Sequence, residues 1–130
     1  MTALVVDASA GVEWLLLSES GRRVELAVAG YALWVPEHYY VETAATIRRL
    51  QIANEITAER ASVALSRLLV APLRRVQIRP LLSEAWTLRD NITIADALYV
   101  VMARHLNAPL ITLDAKLGAS PTIDVPIIIP

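Results

Sequence analysis

The sequence predicts an α/β fold on a parallel sheet, and three observations carry that expectation. Short, mostly apolar runs such as Ala3-Leu4-Val5-Val6 and Leu110-Ile111-Thr112-Leu113 have the length of strands buried on both faces. Helix-length stretches separate these runs, as parallel neighbours require, because only a crossover can join them. The 130 residues are 55% hydrophobic and 19% charged, which suits one packed core and excludes a disordered polymer. No repeat, low-complexity stretch or linker interrupts the chain, so residues 1–130 are expected to form a single domain.

Taken in order, Ala3 to Val6 reads as the first strand, ended by Asp7. Gly11 to Leu17 reads as a helix, and Gly21 to Ala29 as a second, closed by Gly30 at the position after its C-cap. Leu33-Trp34-Val35 is the next strand, stopped by Pro36. A long helical pattern covers Glu37 to Ala53, and an amphipathic one covers Ala58 to Leu69, with Thr57 as its cap and Pro72 beyond its end. Val76 to Ile78 reads as a short extended piece, Leu81 to Arg89 as a helix, and Ile94 to Leu106 as a further helix. Leu110 to Leu113, followed by Asp114, is the third strand, and Val125 to Ile129 is the fourth.

Composition removes several function classes. The chain has no cysteine, which excludes disulfides and thiolate metal sites. The longest apolar run, Ala97 to Ala103, is far shorter than the ~18 to 20 residues that span a bilayer. No basic segment precedes an apolar stretch at the N-terminus, so a cytoplasmic protein without a signal peptide is expected. The net charge of -1 gives no whole-molecule field for nucleic acid. Eleven of the twelve cations are nevertheless Arg, paired at Arg22-Arg23, Arg48-Arg49 and Arg74-Arg75. Arg suits bidentate phosphate contacts, although a biased base composition gives the same skew.

Four acids stand out. Asp7 and Asp114 each follow an apolar strand, and ligands of open parallel sheets bind outside the carboxyl ends of the strands. Each is equally readable as an N-cap of the following helix. Asp96, in Ile94-Ala95-Asp96-Ala97-Leu98, has apolar neighbours that imply partial burial, while Thr93 before it resembles part of a capping box. Glu42 lies in Tyr39-Tyr40-Val41-Glu42-Thr43-Ala44-Ala45, with no acid or base within four residues on the helix side. His38 reads as a surface residue and His105 as a partner of its helix dipole, so a structural zinc site is improbable. Oxygen ligands select hard cations, Mg2+ or Mn2+, which suit phosphate ester chemistry. No nucleophile elbow, P-loop or dinucleotide fingerprint is present.

Val5-Val6-Asp7-Ala8-Ser9, an isolated Glu42 followed by Arg48-Arg49, Ile94-Ala95-Asp96-Ala97-Leu98-Tyr99 and Leu110-Ile111-Thr112-Leu113-Asp114 together resemble the PIN-domain ribonucleases, and more narrowly the VapC toxins of toxin-antitoxin pairs. The resemblance spans the chain and is most specific from Asn91 to Asp114. It implies a three-layer α/β/α fold with a central, mostly parallel sheet. It also implies an Mg2+- or Mn2+-dependent endoribonuclease that cleaves tRNA or rRNA with a metal-activated water and is silenced by a cognate antitoxin. Carried over by position, Asp7, Glu42, Asp96 and Asp114 are the catalytic, metal-holding acids, and Ser9 and Thr112 are supporting hydroxyls.

Further expectations attach to this reading. Arg48 and Arg49, with Arg22 or Arg23, would contact the RNA backbone, since the acids by themselves repel it. The apolar excess would be covered in a homodimer and by an antitoxin helix laid against Trp14 to Leu17 and part of the Glu42 helix. Two alternatives stay open: a metal-dependent phosphohydrolase of small phosphate esters, and a catalytically inactive binding module of the same fold.

Overall fold

In the computed structural model, which describes residues 1–130, the chain alternates strands and helices. β1 (Ala3–Val6) leads into α1 (Ala8–Leu16) and α2 (Glu19–Val28), and β2 (Ala32–Pro36) into α3 (Tyr39–Ile52) and α4 (Ala58–Val70). β3 (Arg74–Val76) is followed by a single 3-10 turn at Arg79–Leu81, then α5 (Leu82–Trp86) and α6 (Ile94–Leu106). β4 (Leu110–Ile111), α7 (Ala115–Ala119) and β5 (Ile127–Ile128) complete the chain. The five strands are all parallel, in the order β3-β2-β1-β4-β5.

The departures from expectation have local causes. α1 starts directly after Asp7, three residues before Gly11, and α2 starts at Glu19 because the Ser18 hydroxyl caps the Gly21 amide at 3.0 Å. β3 lies at Arg74–Val76 rather than Val76 to Ile78. Its side chains are largely exposed, so the strand is set by backbone pairing to β2 and by Arg74 stacked 5.4 Å from the Trp34 ring centre, and no apolar pattern marks it. The helix expected from Leu81 to Arg89 is only five residues long. β4 ends at Ile111 because the Leu113 amide turns away to the Ser9 hydroxyl, at 3.0 Å. α7 is the helix implied by the capping alternative for Asp114, and its five residues are too few to display a helical period of their own.

The chirality of the crossovers divides the helices. With right-handed connections, the steps from β1 to β2 to β3 put α1 to α4 on one face. The return from β3 to β4 puts α5 and α6 on the other. Contacts agree: α1, α3 and α4 pack on one another, while α6 packs against β1, β2 and β4. α6 contains the longest apolar run, and Ala97 to Ala103 are all buried, as a helix apolar on every side must be. α1 and α2 approach so closely that a Cβ at Gly21 would lie 2.0 Å from the Glu13 carbonyl oxygen. No helix is long and apolar enough to cross a membrane.

The apolar excess reaches the surface. Leu69 and Val70 at the end of α4 are 74% and 80% exposed, and Leu17 and Val63 are also exposed. Leu15 to Leu17 line a groove, but its other wall is α4, through Val63 and Arg67, and not the Glu42 helix as expected. Arg60 and Arg67 have structural roles there, donating to the Leu16 and Leu15 carbonyls at 3.1 Å each.

Candidate active site

The strand order reverses between β1 and β4: the chain leaves β1 toward β2 and later returns to β1's other side. Such a switch point opens a crevice above the carboxyl ends of the two strands. The register Val6↔Ile111 sets Asp7 beside Thr112, so the two strand-end acids, Asp7 and Asp114, flank this crevice.

Asp7 is 5% exposed and does not cap α1. Its Oδ2 instead accepts two short hydrogen bonds, from the Ser9 hydroxyl and the Thr112 hydroxyl, both at 2.7 Å. Those hydroxyl oxygens in turn accept the Leu113 and Asp114 amides, at 3.0 Å each. The two hydroxyls expected to support the site therefore bind β1 to the β4 exit and hold one Asp7 oxygen in place. Asp114 behaves differently: its Oδ1 caps α7, accepting from the Lys116 and Leu117 amides at 2.9 and 3.3 Å. The capping alternative thus holds for Asp114 and not for Asp7.

Glu42 projects from the first turn of α3. Its Oε1 accepts the Tyr99 hydroxyl at 2.7 Å and lies 3.4 Å from His38 Nε2. His38 is therefore no free surface residue; its side chain is 15% exposed, and Nε2 also lies 3.0 Å from the Ala95 carbonyl oxygen. A carbonyl only accepts, so Nε2 carries the proton and His38 ties α3 to α6. Nδ1 is buried without a hydrogen-bond partner. Burial and the adjacent Glu42 carboxylate push the Tyr99 hydroxyl far above the usual phenol range, which keeps it a donor. His105 pairs with Glu84 at 3.0 Å, away from the acids. Asp124, in the loop before β5, is held below the usual carboxylate range by its hydrogen bond from Arg104, at 2.6 Å.

Asp96 is half-buried in the first turn of α6, with its amide donating to the Thr93 hydroxyl at 3.1 Å. Burial raises its proton affinity most, followed by the charge of Asp7; the Thr93 hydroxyl, acting on the carboxylate, opposes them, and the charges of Asp114 and Glu42 add smaller increases. Four carboxylates thus share one electrostatic environment, although no three converge to metal-ligand spacing. Asp7, Asp114 and Glu42 each commit one oxygen to the protein and leave the other without a hydrogen bond. The pattern of one oxygen anchored and one free fits a hard divalent cation, whose ligands are typically oriented by outer hydrogen bonds.

Arg48 and Arg49 are exposed near the end of α3, whereas Glu42 is at its start, about 10 Å away along the axis. Arg23 of α2 is 4.0 Å from Glu19. His38 and Tyr99 escaped the sequence reading, although spacing held a signal: His38 is four residues before Glu42 and Tyr99 three after Asp96, each on a shared helix face.

The PIN domain family pattern matches residues 4–119. The ribonuclease VapC12 of Mycobacterium tuberculosis is 35% identical over 117 residues, covering 90% of this chain and 91% of that protein. The crystal structure of Mycobacterium tuberculosis VapC20, described as a toxin that cleaves the sarcin-ricin loop, superposes with a TM-score of 0.69 at 16% identity, covering 95% of this chain and 98% of that one. A toxin-antitoxin complex from Klebsiella pneumoniae superposes with a TM-score of 0.66 at 13% identity, covering 98% of this chain and 97% of that one.

Proposed function

The chain belongs to the PIN-domain family, and we propose that it is a VapC-type toxin: an endoribonuclease that uses Mg2+ or Mn2+ to cut structured cytoplasmic RNA, tRNA or rRNA, and that a cognate antitoxin silences. The observation that carries this reading is the set Asp7, Glu42, Asp96 and Asp114 at the sheet's switch point, three of them with one anchored and one uncommitted oxygen. When bound, a divalent cation supplies charge neutralisation and acidifies water. The chain's own contribution is positional. Ser9 and Thr112 fix Asp7, while Tyr99 and His38 fix Glu42. Asp96, whose ionised form is disfavoured by burial and by the other three acids, gains most from a cation that relieves that repulsion.

The relatives' names supply the toxin and ribonuclease parts of the proposal, and the exposed apolar face supports the partner. The groove between α1 and α4 has a volume of about 260 Å³, with Leu17 and Val63 exposed to an amphipathic helix. The remaining exposed apolar residues support a homodimer. The test is to map RNA 5′ ends after brief expression of the chain, alone and with the protein encoded beside it. New internal ends in tRNA or rRNA are expected, absent from an Asp7→Asn control and suppressed by the neighbour. An unchanged RNA population would overturn the reading.

Tyr99→Phe provides a finer check. It deletes the donor to Glu42 while keeping the ring that packs α6. Loss of an outer-shell hydrogen bond typically costs 10- to 100-fold, so cleavage should fall by about tenfold. Titration with Mn2+ separates the cause: the apparent metal affinity should weaken while melting changes by only about 1 kcal/mol.

A further inference from the structure

Beside the four acids, a cleft of about 450 Å³ is lined by Arg89, Asp90, Asn91, Asp96 and Lys116, among others. It is the size of a small-ligand site, and it gathers two cations around an acid of the candidate centre. Arg89 follows α5 and is pre-oriented: its guanidinium stacks 4.9 Å from the Trp86 ring centre and donates to the Trp86 carbonyl at 2.9 Å. Lys116 stands in the first turn of α7, its amide held by Asp114. Both are exposed, and the chain's ion pairs engage Arg23, Arg104 and the histidines, leaving Arg89 and Lys116 without a carboxylate partner.

We propose that Arg89 and Lys116 form a clamp for a phosphodiester of the RNA strand adjacent to the bond that is cut, an inference that rests on the ribonuclease reading above. The electrostatics require such a clamp. At the centre the charges of Asp7, Asp114 and Glu42 are all felt by Asp96, and a polyanion approaches only where cations offset them. The cleft balances Arg89 and Lys116 against Asp90 and Asp96, and so is the face of the acid centre along which a phosphate can be seated. Arg89 supplies a planar fork whose rotamers are already restricted by Trp86, and Lys116 a flexible point charge lining the same cleft. Arg48 and Arg49, one of the three arginine pairs in the sequence, do not line this cleft.

The experiment compares Arg89→Gln/Lys116→Gln with Arg48→Gln/Arg49→Gln. Binding of a fluorescein-labelled single-stranded oligoribonucleotide is followed by anisotropy as KCl is raised, in an Asp7→Asn background that does not cut the probe. The cleft pair should weaken binding by about tenfold and flatten the log-log salt slope by about 0.7 per cation lost, a larger loss of binding than the α3 pair produces. In the cutting-competent chain, the cleft variant should raise KM and leave kcat within about twofold, because the clamp holds ground and transition states alike. A parental salt slope in the cleft variant, with RNA cleavage intact in the parent, overturns the clamp alone. A parent that neither binds nor cuts RNA overturns the ribonuclease reading and the clamp together.

Discussion

Asp7→Asn is expected to lower RNA cleavage by roughly a thousandfold and leave the fold standing. The carboxylate is buried at the carboxyl end of β1, and its Oδ2 accepts both the Ser9 and Thr112 hydroxyls. An asparagine oxygen accepts the same two bonds at nearly the same shape, so the β1–β4 junction persists. What disappears is a negative charge on the oxygen that faces the crevice. Metal-derived stabilisation of a transition state amounts to several kcal/mol, and about 4 kcal/mol corresponds to three orders of magnitude. Initial rates on a defined RNA with Mn2+, beside a thermal melt, decide the matter. Asp114→Asn should act more weakly, because asparagine also caps helices and α7 keeps its start. Cleavage by Asp7→Asn within tenfold of the parent would remove Asp7 from the chemistry.

Divalent cation should also stabilise the folded chain, most at neutral pH. A ligand at about 100 times its Kd adds about 2.7 kcal/mol, which for this size moves the melting temperature by roughly 5 to 10 °C. The sign follows from Asp96, whose proton affinity is raised in the folded state by burial and by Asp7. Its contribution to stability is fully present below the unfolded pKa, near 4, and is lost as pH rises through the higher folded value. Without metal, the acid centre therefore favours the fold less at neutral than at mildly acidic pH. A cation that binds the ionised carboxylates reverses the trend over the same window. Melts with Mn2+ or with EDTA, at acidic and neutral pH, should diverge as pH rises, and Asp96→Asn should shrink the divergence. A melting temperature unmoved by Mn2+ at neutral pH would show that the four acids hold no cation in the folded state.

Much of the fold was legible because its signals are local. The buried central strands announce themselves as short apolar runs, and α6 by the run from Ala97 to Ala103, because a layer covered on both faces has no polar side to display. β3 and α7 carry no such signal. β3 is an edge strand whose exposed arginines pair only through backbone, and α7 is five residues started by one carboxylate. The α1–α4 groove likewise depends on which helices the right-handed crossovers bring together.

The same division runs through the site. By itself the sequence determined that Asp7 and Asp114 follow strands, that Asp96 sits among apolar neighbours, and that an all-oxygen donor set without cysteine suits a hard cation. These are properties of residue type and of spacing along one element, so they survive without coordinates. Only the tertiary structure decided which oxygen each acid keeps free, that Asp114 caps a helix while Asp7 does not, and that His38 and Tyr99 orient Glu42. It also decided that Arg89 and Lys116, rather than Arg48 and Arg49, line the cleft with Asp96. The bond from Thr112 to Asp7 spans 105 residues and that from Tyr99 to Glu42 spans 57. Contacts that distant are set by strand register and by which layer a helix occupies, and packing of the whole core chooses both.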